Sequence, residues 1–555
     1  MKGKLKIGFL ISDELVPQWE YDLVYKVLNS EYAGIELLIF SDQENVRHDK
    51  SRPAGFIFRL HNKLDSLLFP GKDNFAVKKN ILELTGDVRR VKLENTKDRE
   101  SMGKTNSAFA EIRDLGLDVI IKLGYGRIDE ELAAMSNYGL WTFPMTACDT
   151  ESADTTGYYE VIEKNPVTVS GLNVIMGMGQ KPVALARVTE STCSYSISLN
   201  REKLYRRASL FVPRILKGIW NYGPSYFQGI VNKSEIQDIA LTPPLTPPSF
   251  LESTGNLFKA VLILLQQILK KIVYTDPFTW TLLYQLEGDK DFETCSFKDF
   301  KKLIPPGDRF WADPFVLKSG DRYFIFVEEF IYKANKGHIS ILEMDLNGCL
   351  LGTGKIIENP YHMSYPFVFE SDGVCFMIPE TGGNRSIDLY RCTEFPWKWE
   401  FVKSIMKDIN AVDTTLFRYE GKWWLFTLID KINSSLAVSP ELYLFYSDDF
   451  LADNWISHPM NPIVTDVRLA RPAGKVFIRD GIVYRPSQDC SGRYGNSFDI
   501  NEIITLTTDS YKEKQIKKIR PDWDPTLKGT HTFNQNEGFT IIDVYKLRRR
   551  FIRNL

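Results

Sequence analysis

Trp311-Ala312-Asp313-Pro314-Phe315-Val316 is the first copy of a phrase that recurs along the C-terminal half of this 555-residue chain. Further copies lie at 363–368, 411–417, 469–474 and, less closely, 529–533. Each copy has one variable polar position, and these first-ring residues are Asp313, Tyr365, Asp413, Arg471 and His531. They are 52, 48, 58 and 60 residues apart, and a strand-rich repeat of about 50 residues is typical of a β-propeller. Residues 285–555 therefore predict five blades, with one first-ring residue per blade beside a central channel.

A turn and a second strand follow four of the copies. The turns are Gly320-Asp321, Asp372-Gly373, Glu420-Gly421 and Asp480-Gly481. Asp-Gly between apolar runs indicates a hairpin, since both turn residues need a positive φ. The strands after these turns end in four residues that we call the second-ring residues: Glu328, Glu380, Thr427 and Gln488. An all-β protein of another type would also contain hairpins, but the joint recurrence of phrase, turn and spacing favours the propeller.

The composition excludes several classes of protein. A net charge of −2 with 25% charged residues gives no reason to expect a nucleic-acid partner. The seven cysteines contain no Cys-x-x-Cys pair, which favours a reducing compartment over a disulfide framework. We expect a cytoplasmic protein, since the N-terminus lacks a signal peptide pattern and no run of 18 apolar residues is present.

The N-terminal half has a different pattern, in which continuous apolar strands alternate with helices. Strands are predicted at 4–11, 35–40, 118–124 and 167–176, and helices at 18–28, 108–114 and 201–220. This alternation is typical of a parallel α/β sheet. The predicted fold class is therefore a multidomain chain, α/β followed by all-β.

Three segments at 124–128, 139–143 and 157–168 give this half a resemblance to the formyltransferase-like, Rossmann-type domain of methionyl-tRNA and sugar N-formyltransferases. The resemblance covers a predicted domain at 1–222. It implies an Asn, a His and a downstream Asp in the active site. The only histidines before residue 300 are His48 and His61, both far from the strand at 141–143 that the His should follow. We expect a formyltransferase fold that does not formylate by the family route.

A linker is predicted at 223–280, before a propeller at 281–555. Its Pro-Pro pairs at 243–244 and 247–248 exclude helix interior and stiffen the chain. Helical apolar spacing follows at 256–274, with Lys259, Lys270 and Lys271 on its flanks. Such a helix either packs between the two domains or rests on a membrane surface, which would place the protein at the inner face of a membrane.

The propeller sequence resembles the N-terminal propeller domain of the glucosamine inositolphosphorylceramide transferase family. It also resembles, more distantly, the five-bladed glycosidase clan of arabinanases and fructosyl-transferring enzymes. The resemblance is carried by segments at 310–315, 364–368, 378–380, 470–474 and 485–489. In the transferase family the propeller lies beside a separate transferase domain, so the resemblance leaves the catalytic domain open. It implies a carbohydrate ligand for the channel.

Glycosyl transfer needs a carboxylate at the anomeric carbon and a protonated acid for the leaving oxygen. We predict catalytic roles for Asp313, Glu380 and Asp413. The glycosidase clan places its base or nucleophile at the position of Asp313, and the apolar strand before Glu380 favours an acid. The predicted substrate-binding residues are Trp311, Glu328, Tyr365, Arg471, Gln488, Tyr494 and His531. This sequence departs from the glycosidase clan at two first-ring positions. The second blade carries Tyr365 in place of a carboxylate, and the fourth blade carries Arg471. Both departures make a hydrolase a less favoured prediction.

The predicted function is a carbohydrate-active transferase in cell-envelope polysaccharide or glycolipid assembly, with a glycan or glycolipid partner. No metal site and no resident cofactor are predicted; a nucleotide-sugar would serve as donor. Two alternatives stay open. One is a non-catalytic glycan-binding scaffold whose polar residues recognise sugar or cap turns. The other is a sugar N-formyltransferase or acyltransferase with an altered active site. The oligomeric state is not predicted.

Overall fold

The computed structural model describes residues 2–41, 55–71, 77–93, 99–124, 130–146, 154–235, 247–286, 296–430 and 440–549. The chain divides into two compact units, Met1–Leu265 and Gln266–Leu555. None of the helices in the described ranges combines the length and apolar character that crossing a bilayer requires.

The first unit is built on a seven-stranded sheet. In spatial order its strands are Arg89–Leu93, Ala33–Ser41, Leu5–Ile11, Val119–Lys122, Leu140–Thr142, Val167–Ile175 and Val183–Ser191. The first five are parallel, and the last two extend the sheet as an antiparallel hairpin. The parallel strands thus follow the order third, second, first, fourth and fifth, as in doubly wound α/β sheets. A two-stranded ribbon pairs Leu15–Pro17 with Lys78–Asn80.

Helices accompany this sheet, as the alternation in the sequence predicts. Their bounds are Gln18–Leu28, Phe56–Leu68, Leu82–Thr85, Arg99–Asp114, Tyr158–Ile162, Ile197–Tyr222, Pro224–Glu235 and Phe250–Val273, with 3-10 turns at Glu130–Met135 and Pro144–Thr146. His61 is buried beside Tyr158, and His48 lies outside the described residues. The formyltransferase resemblance remains a prediction.

The helix Phe250–Val273, within which the division between the two units falls, begins earlier than the predicted 256–274. The backbone N–H of Ser249 donates to Oε2 of Glu252 at 2.7 Å, and Ser249 Oγ accepts from the N–H of Glu252 at 3.4 Å. This reciprocal capping box fixes the helix start at Phe250. Of the Pro-rich linker, residues 236–246 lie outside the described part of the chain.

The second unit is a five-bladed propeller, as the repeat predicts. Blade 1 contains Arg309–Ser319, Arg322–Ile331, Lys336–Asp345 and Leu350–Ile357. Blade 2 contains Ser364–Ser371, Val374–Glu380, Ser386–Glu394 and Lys398–Lys407. Blade 3 contains Ala411–Tyr419, Lys422–Ile429, Leu442–Ser447 and Ile456–Ser457. Blade 4 contains Arg471–Pro472, Phe477–Arg479, Ile482–Asp489, Ser497–Leu506 and Tyr511–Ile519. Three of the four predicted turns have positive φ at both residues, for example 51° at Asp372 and 74° at Gly373, whereas the turn Gly320-Asp321 has it at Gly320 alone. Two short 3-10 turns, Phe297–Asp299 and Gly382–Asn384, complete the unit.

Blade 5 combines strands from both ends of the propeller sequence. Its inner strands are Phe533–Asn536 and Phe539–Arg549, and its outer strands are Tyr274–Leu286 and Lys301–Leu303. Tyr274–Leu286 pairs antiparallel with Phe539–Arg549, so backbone hydrogen bonds between distant parts of the chain close the ring. The propeller strands therefore start at Tyr274, inside the segment predicted as linker and helix.

Candidate functional site

The first-ring residues of blades 1, 2 and 3 share one backbone conformation, with a positive φ. Asp313, Tyr365 and Asp413 have φ of 50°, 45° and 51°. In each blade the inner-strand register shifts at this residue, for example between Ala312 and Phe315. A bulge with a left-handed residue turns its side chain out of the regular alternation. Proline follows two of these residues, and it needs no ladder hydrogen bond there.

Blade 4 differs from this pattern. Arg471 pairs with Gln488 in regular register, and the irregular segment lies further on, where Gly474 has a φ of 140°. A Cβ at Gly474 would meet the carbonyl oxygen of Phe533 at 2.0 Å, so only glycine fits. Arg471 therefore reaches the channel from a normal strand.

Hydrogen bonds link the first-ring residues of successive blades. The backbone N–H of Asp313 donates to Oδ2 of Asp543 at 3.0 Å, and Oδ2 of Asp313 accepts from the N–H of Tyr365 at 3.2 Å. The phenol oxygen of Tyr365 accepts from the N–H of Gly474 at 2.8 Å and lies 2.9 Å from Oγ1 of Thr415. Tyr365 is fully buried. Its side chain therefore braces the hub, and the predicted stacking on a sugar ring does not fit its position.

His531 lies between two carboxylates. Its Nδ1 is 2.7 Å from Oδ2 of Asp543, and its Nε2 is 3.5 Å from Oδ1 of Asp313. Burial alone would lower the pKa of His531, but Asp543 and Asp313 outweigh it and the pKa is raised. Burial, together with Asp413 and Asp543, raises the pKa of Asp313 to about 6 against the opposing effect of His531. The pKa of Asp313 therefore lies closer to neutral pH than that of an ordinary aspartate, and the pKa shift of His531 favours the charged imidazolium beside it.

Asp313, His531 and Asp543 are also spaced closely enough to hold a cation, with ligand atoms within 4.8 Å of one another. The oxygens already have donors, however. Oδ1 of Asp543 accepts from the N–H groups of His531 and Thr532, both at 3.0 Å, and Oδ1 of Asp313 accepts from Oγ1 of Thr532 at 3.0 Å. These contacts fit a hydrogen-bonded triad better than a metal centre.

The second polar cluster joins blades 2, 3 and 4. Nε of Arg471 lies 2.5 Å from Oδ2 of Asp413, and Nε2 of Gln488 donates to the same oxygen at 2.9 Å. Nη2 of Arg471 is 3.6 Å from Oε2 of Glu380. That oxygen is buried and accepts no hydrogen bond from the described residues. The ion pair between Asp413 and Arg471 therefore stands beside a carboxyl group with an open hydrogen-bonding position.

Two second-ring carboxyls favour the protonated state. Burial raises the pKa of Glu380 well above its usual range, and the neighbouring Asp413 raises it further. Burial also raises the pKa of Glu328 strongly, followed by the charges of Asp313 and Glu380. Each is therefore a candidate proton donor.

Glu328 has an exposed histidine beside it. Nδ1 of His362 accepts from the N–H of Gly337 at 2.9 Å, so in the neutral ring the proton is on Nε2. Nε2 lies 3.4 Å from Oε1 of Glu328. Gly337 has no room for a side chain, since a Cβ there would meet His362 at 2.7 Å and Glu328 at 2.8 Å.

The aromatic residues divide into core and channel groups. Trp311 is buried in a blade core and donates from Nε1 to Oε1 of Glu329 at 3.1 Å, which does not fit the predicted sugar contact. Glu329 itself is buried and also contacts His338 and Ser340. Tyr494 does lie beside the site, 4.9 Å from the Arg471 guanidinium, as a cation–π partner.

The sequence interpretation missed two residues. Asp543 follows the turn Glu537-Gly538 and an apolar strand, as the other second-ring residues do. Extending that pattern to the fifth blade would have found it. Trp280, which stacks on His531 with ring centroids 4.0 Å apart, comes from the strand that closes the propeller. No repeat pattern marks it.

A family model described as "Glucosamine inositolphosphorylceramide transferase 1, N-terminal" matches residues 294–550. The protein of that name from Oryza sativa subsp. japonica is 36% identical over 225 residues, which is 39% of this chain and 30% of the rice protein. Its Arabidopsis thaliana namesake is 32% identical over 210 residues, covering 37% of this chain and 27% of the plant protein. The chain thus spans less than a third of the length of the curated relatives it matches.

Among solved structures, a family 117 glycoside hydrolase from Zobellia galactanivorans has 12% identity and a TM-score of 0.32, covering 50% of this chain and 93% of that chain. The five-bladed assignment itself rests on the strand pairing described above. The C-terminal propeller is therefore similar in sequence to the N-terminal region of glucosamine inositolphosphorylceramide transferases.

Proposed function

We propose that this protein is a carbohydrate-active transferase of glycolipid or cell-envelope polysaccharide assembly, with a glycan site at the first and second rings of the propeller. The similarity of 294–550 to relatives named as glucosamine inositolphosphorylceramide transferases supports the sugar and glycolipid chemistry. A nucleotide-sugar is the donor class that such a transfer would use.

One observation carries the proposal, namely the contrast between Glu380 and Asp413. Glu380 is a buried carboxyl with a raised pKa and an oxygen that accepts no hydrogen bond from the described residues. Asp413 is held by Arg471 and Gln488. Glu380 and Asp413 also share a side-chain hydrogen bond, and neighbouring carboxyls in different environments are typical of sites that divide acid and base roles.

The roles follow from these contacts. Glu380 gives its proton to the leaving oxygen of the donor, and Asp413 stabilises positive charge at the anomeric carbon. Arg471 pairs with Asp413, and its position over Tyr494 allows it to hold an anionic group of the donor. Glu328 of blade 1 forms a second proton-handling pair with His362, which lies between the last strand of blade 1 and the first strand of blade 2. Cytoplasmic location and contact of the helix Phe250–Val273 with a membrane surface belong to the same proposal.

A second function, glycan binding without turnover, is favoured by a different observation. Asp313 and Tyr365, both in the first ring, use their polar atoms to join neighbouring blades. When the polar atoms of the first-ring residues are used to join blades, Glu380, Arg471 and Tyr494 can still bind a sugar without breaking a glycosidic bond.

Transfer assays separate the two functions. Wild type and Glu380→Gln are incubated with radiolabelled nucleotide-sugars and an inositolphosphorylceramide acceptor, and binding is measured on the same samples. Turnover by wild type that falls about 10²- to 10⁴-fold in Glu380→Gln, with binding retained, supports the transferase. Binding of a glycan by both proteins with turnover by neither supports the non-catalytic alternative.

A further inference from the structure

A cavity of about 750 Å³ lies at the end of the propeller channel opposite the two rings. The inner strands run from the first ring toward the hairpin turns, and the cavity is lined where those strands end, as at Ser319 and Glu370. All five blades contribute to its lining, including Glu537 in the turn of blade 5. Its volume is that of a small-molecule site.

Aromatic and aliphatic side chains supply about half of the cavity wall, and polar atoms supply the rest. Phe367, Phe369 and Trp423 contribute rings, and Val374 and Val476 contribute branched aliphatic groups. Flat apolar walls of this kind bury the body of an organic ligand and leave its orientation to a few polar groups.

Lys475 is the polar group that lacks a counter-charge. It enters the cavity after the irregular segment at Gly474, and within the described residues no carboxylate lies in ion-pair range of its ammonium group. Burial lowers the pKa of Lys475 to about 8. An ammonium group without a counter-ion in a partly enclosed cavity is a favourable partner for a bound anion.

The other charged and titratable groups of the cavity do not neutralise Lys475. Lys318 of blade 1 pairs with Glu537 of blade 5 at 3.3 Å, and Arg418 of blade 3 lies over the Trp423 ring at 5.9 Å. Burial raises the pKa of Cys375 and of Cys392, both of blade 2, to about 11, so both thiols are neutral. Glu370 lies on the exposed rim, opposite Cys375 in the sheet register.

We infer that this cavity is a second binding site, for an organic anion with a flat or chain-like apolar body. Lys475 meets the carboxylate, sulfonate or phosphate group, and the aromatic wall holds the body. This second site is separate from the two rings of the propeller. The inference therefore does not depend on the proposed transferase function and would hold even if that function were disproved.

The test uses two fluorescent probes that share one aromatic body. The first, 8-anilino-1-naphthalenesulfonate, carries a sulfonate that stays ionised at all the pH values used; the second, N-phenyl-1-naphthylamine, has no charge. Dissociation constants are measured for the full-length wild type, Lys475→Met and Lys475→Arg. Lys302→Met is the matched control, because Lys302 lies on the outermost strand of blade 5 with 54% of its side chain exposed.

The charged probe is expected to bind Lys475→Met about tenfold or more weakly than wild type, since a charge-assisted contact is lost. Lys475→Arg and Lys302→Met stay within about threefold of wild type, and the uncharged probe binds all four proteins alike. Equal affinity of wild type and Lys475→Met for the charged probe would overturn the inference.

A pH series on wild type alone covers the case in which Lys475→Met does not fold. Anion binding needs the protonated ammonium, so affinity for the charged probe is retained at pH 6.5 and falls as pH rises through and beyond about 8. The uncharged probe shows no such fall. A wild-type affinity for the charged probe that stays constant from pH 6.5 to 9.5 would also overturn the inference.

Discussion

Nε of Arg471 lies 2.5 Å from Oδ2 of Asp413, although the two residues are 58 positions apart in the chain. The pair joins blade 3 to blade 4 at the centre of the propeller, and only 2% of the Asp413 side chain is exposed. Glu380 lies beside the same pair. The stability of the propeller centre and the proposed acid role of Glu380 therefore both depend on the ion pair between Arg471 and Asp413.

Arg471→Met should therefore destabilise the fold strongly. It leaves the Asp413 carboxylate buried with Gln488 as its remaining hydrogen-bond donor, and loss of one partner of a buried ion pair costs about 3–5 kcal/mol. Urea unfolding followed by tryptophan fluorescence measures the change. Arg468→Met is the matched control, because Arg468 pairs with Asp466 on the same segment with 44% of its side chain exposed, and it should cost less than about 1 kcal/mol. An equal decrease in the free energy of unfolding for the two variants would show that the ion pair between Arg471 and Asp413 contributes no more to stability than an exposed pair.

Tyr365→Phe tests whether this first-ring residue braces the hub. Removal of the hydroxyl leaves the buried N–H of Gly474 without its acceptor, so we expect a loss of about 1–3 kcal/mol in the free energy of unfolding. Glycan affinity should not change, since Tyr365 is fully buried. Phe315→Leu, which removes the ring packed edge-on against Tyr365 and no hydrogen bond, is the packing control. A Tyr365→Phe variant of normal stability with weakened sugar binding would restore the role predicted from the sequence.

Glu329 gives a pH-dependent prediction. Burial opposes its ionisation, but hydrogen bonds from His338, Trp311, Ser340 and Arg309 outweigh burial and lower its pKa to about 2. A carboxyl whose folded pKa is depressed stabilises the fold above its unfolded pKa of about 4.5, and that stabilisation is lost as pH falls toward 2. Glu329→Gln should therefore cost about 3 kcal/mol at pH 7, and the difference from wild type should shrink steadily below about pH 4.5.

Denaturant midpoints of wild type and Glu329→Gln from pH 2.5 to 7 check this. Glu358→Gln is the control, because its pKa is also lowered to about 2, by Lys355 and Lys336, yet 40% of its side chain is exposed. Solvent screening should make its effect much smaller. A Glu329→Gln penalty that does not vary with pH would contradict the account.

The pH profile of transfer tests the role of Glu380. Its raised pKa favours the protonated acid, and turnover falls as pH rises through that pKa. In Glu380→Gln the residual turnover should lose this alkaline limb. His362→Asn should leave the limb in place, since His362 adjoins Glu328 and not Glu380. An alkaline limb that persists in Glu380→Gln would assign the acid to another group, with Glu328 the next to test.

Local chemistry explains how much of this molecule the sequence predicts. The turns Asp372-Gly373 and Asp480-Gly481 depend on their own φ angles, so the blade spacing and the first-ring residues could be inferred from the repeat. The structural role of Tyr365 could not be inferred in this way, because its hydroxyl accepts a hydrogen bond from Gly474, which lies 109 residues further along the chain. Asp543 could have been inferred by extending the turn-and-strand pattern to the fifth blade, whereas Trp280 comes from the distant strand that closes the ring and no repeat marks it.

The central claim, that the two rings of the propeller form the glycan site, is tested most directly by calorimetry. Glycans and nucleotide-sugars are titrated into wild type and into Glu380→Gln combined with Asp413→Asn, with the fold of the double variant checked by near-ultraviolet circular dichroism. We expect a ligand that binds wild type and loses at least about tenfold in affinity for the folded double variant. A ligand that binds both proteins equally would place the sugar site outside the rings and contradict the account.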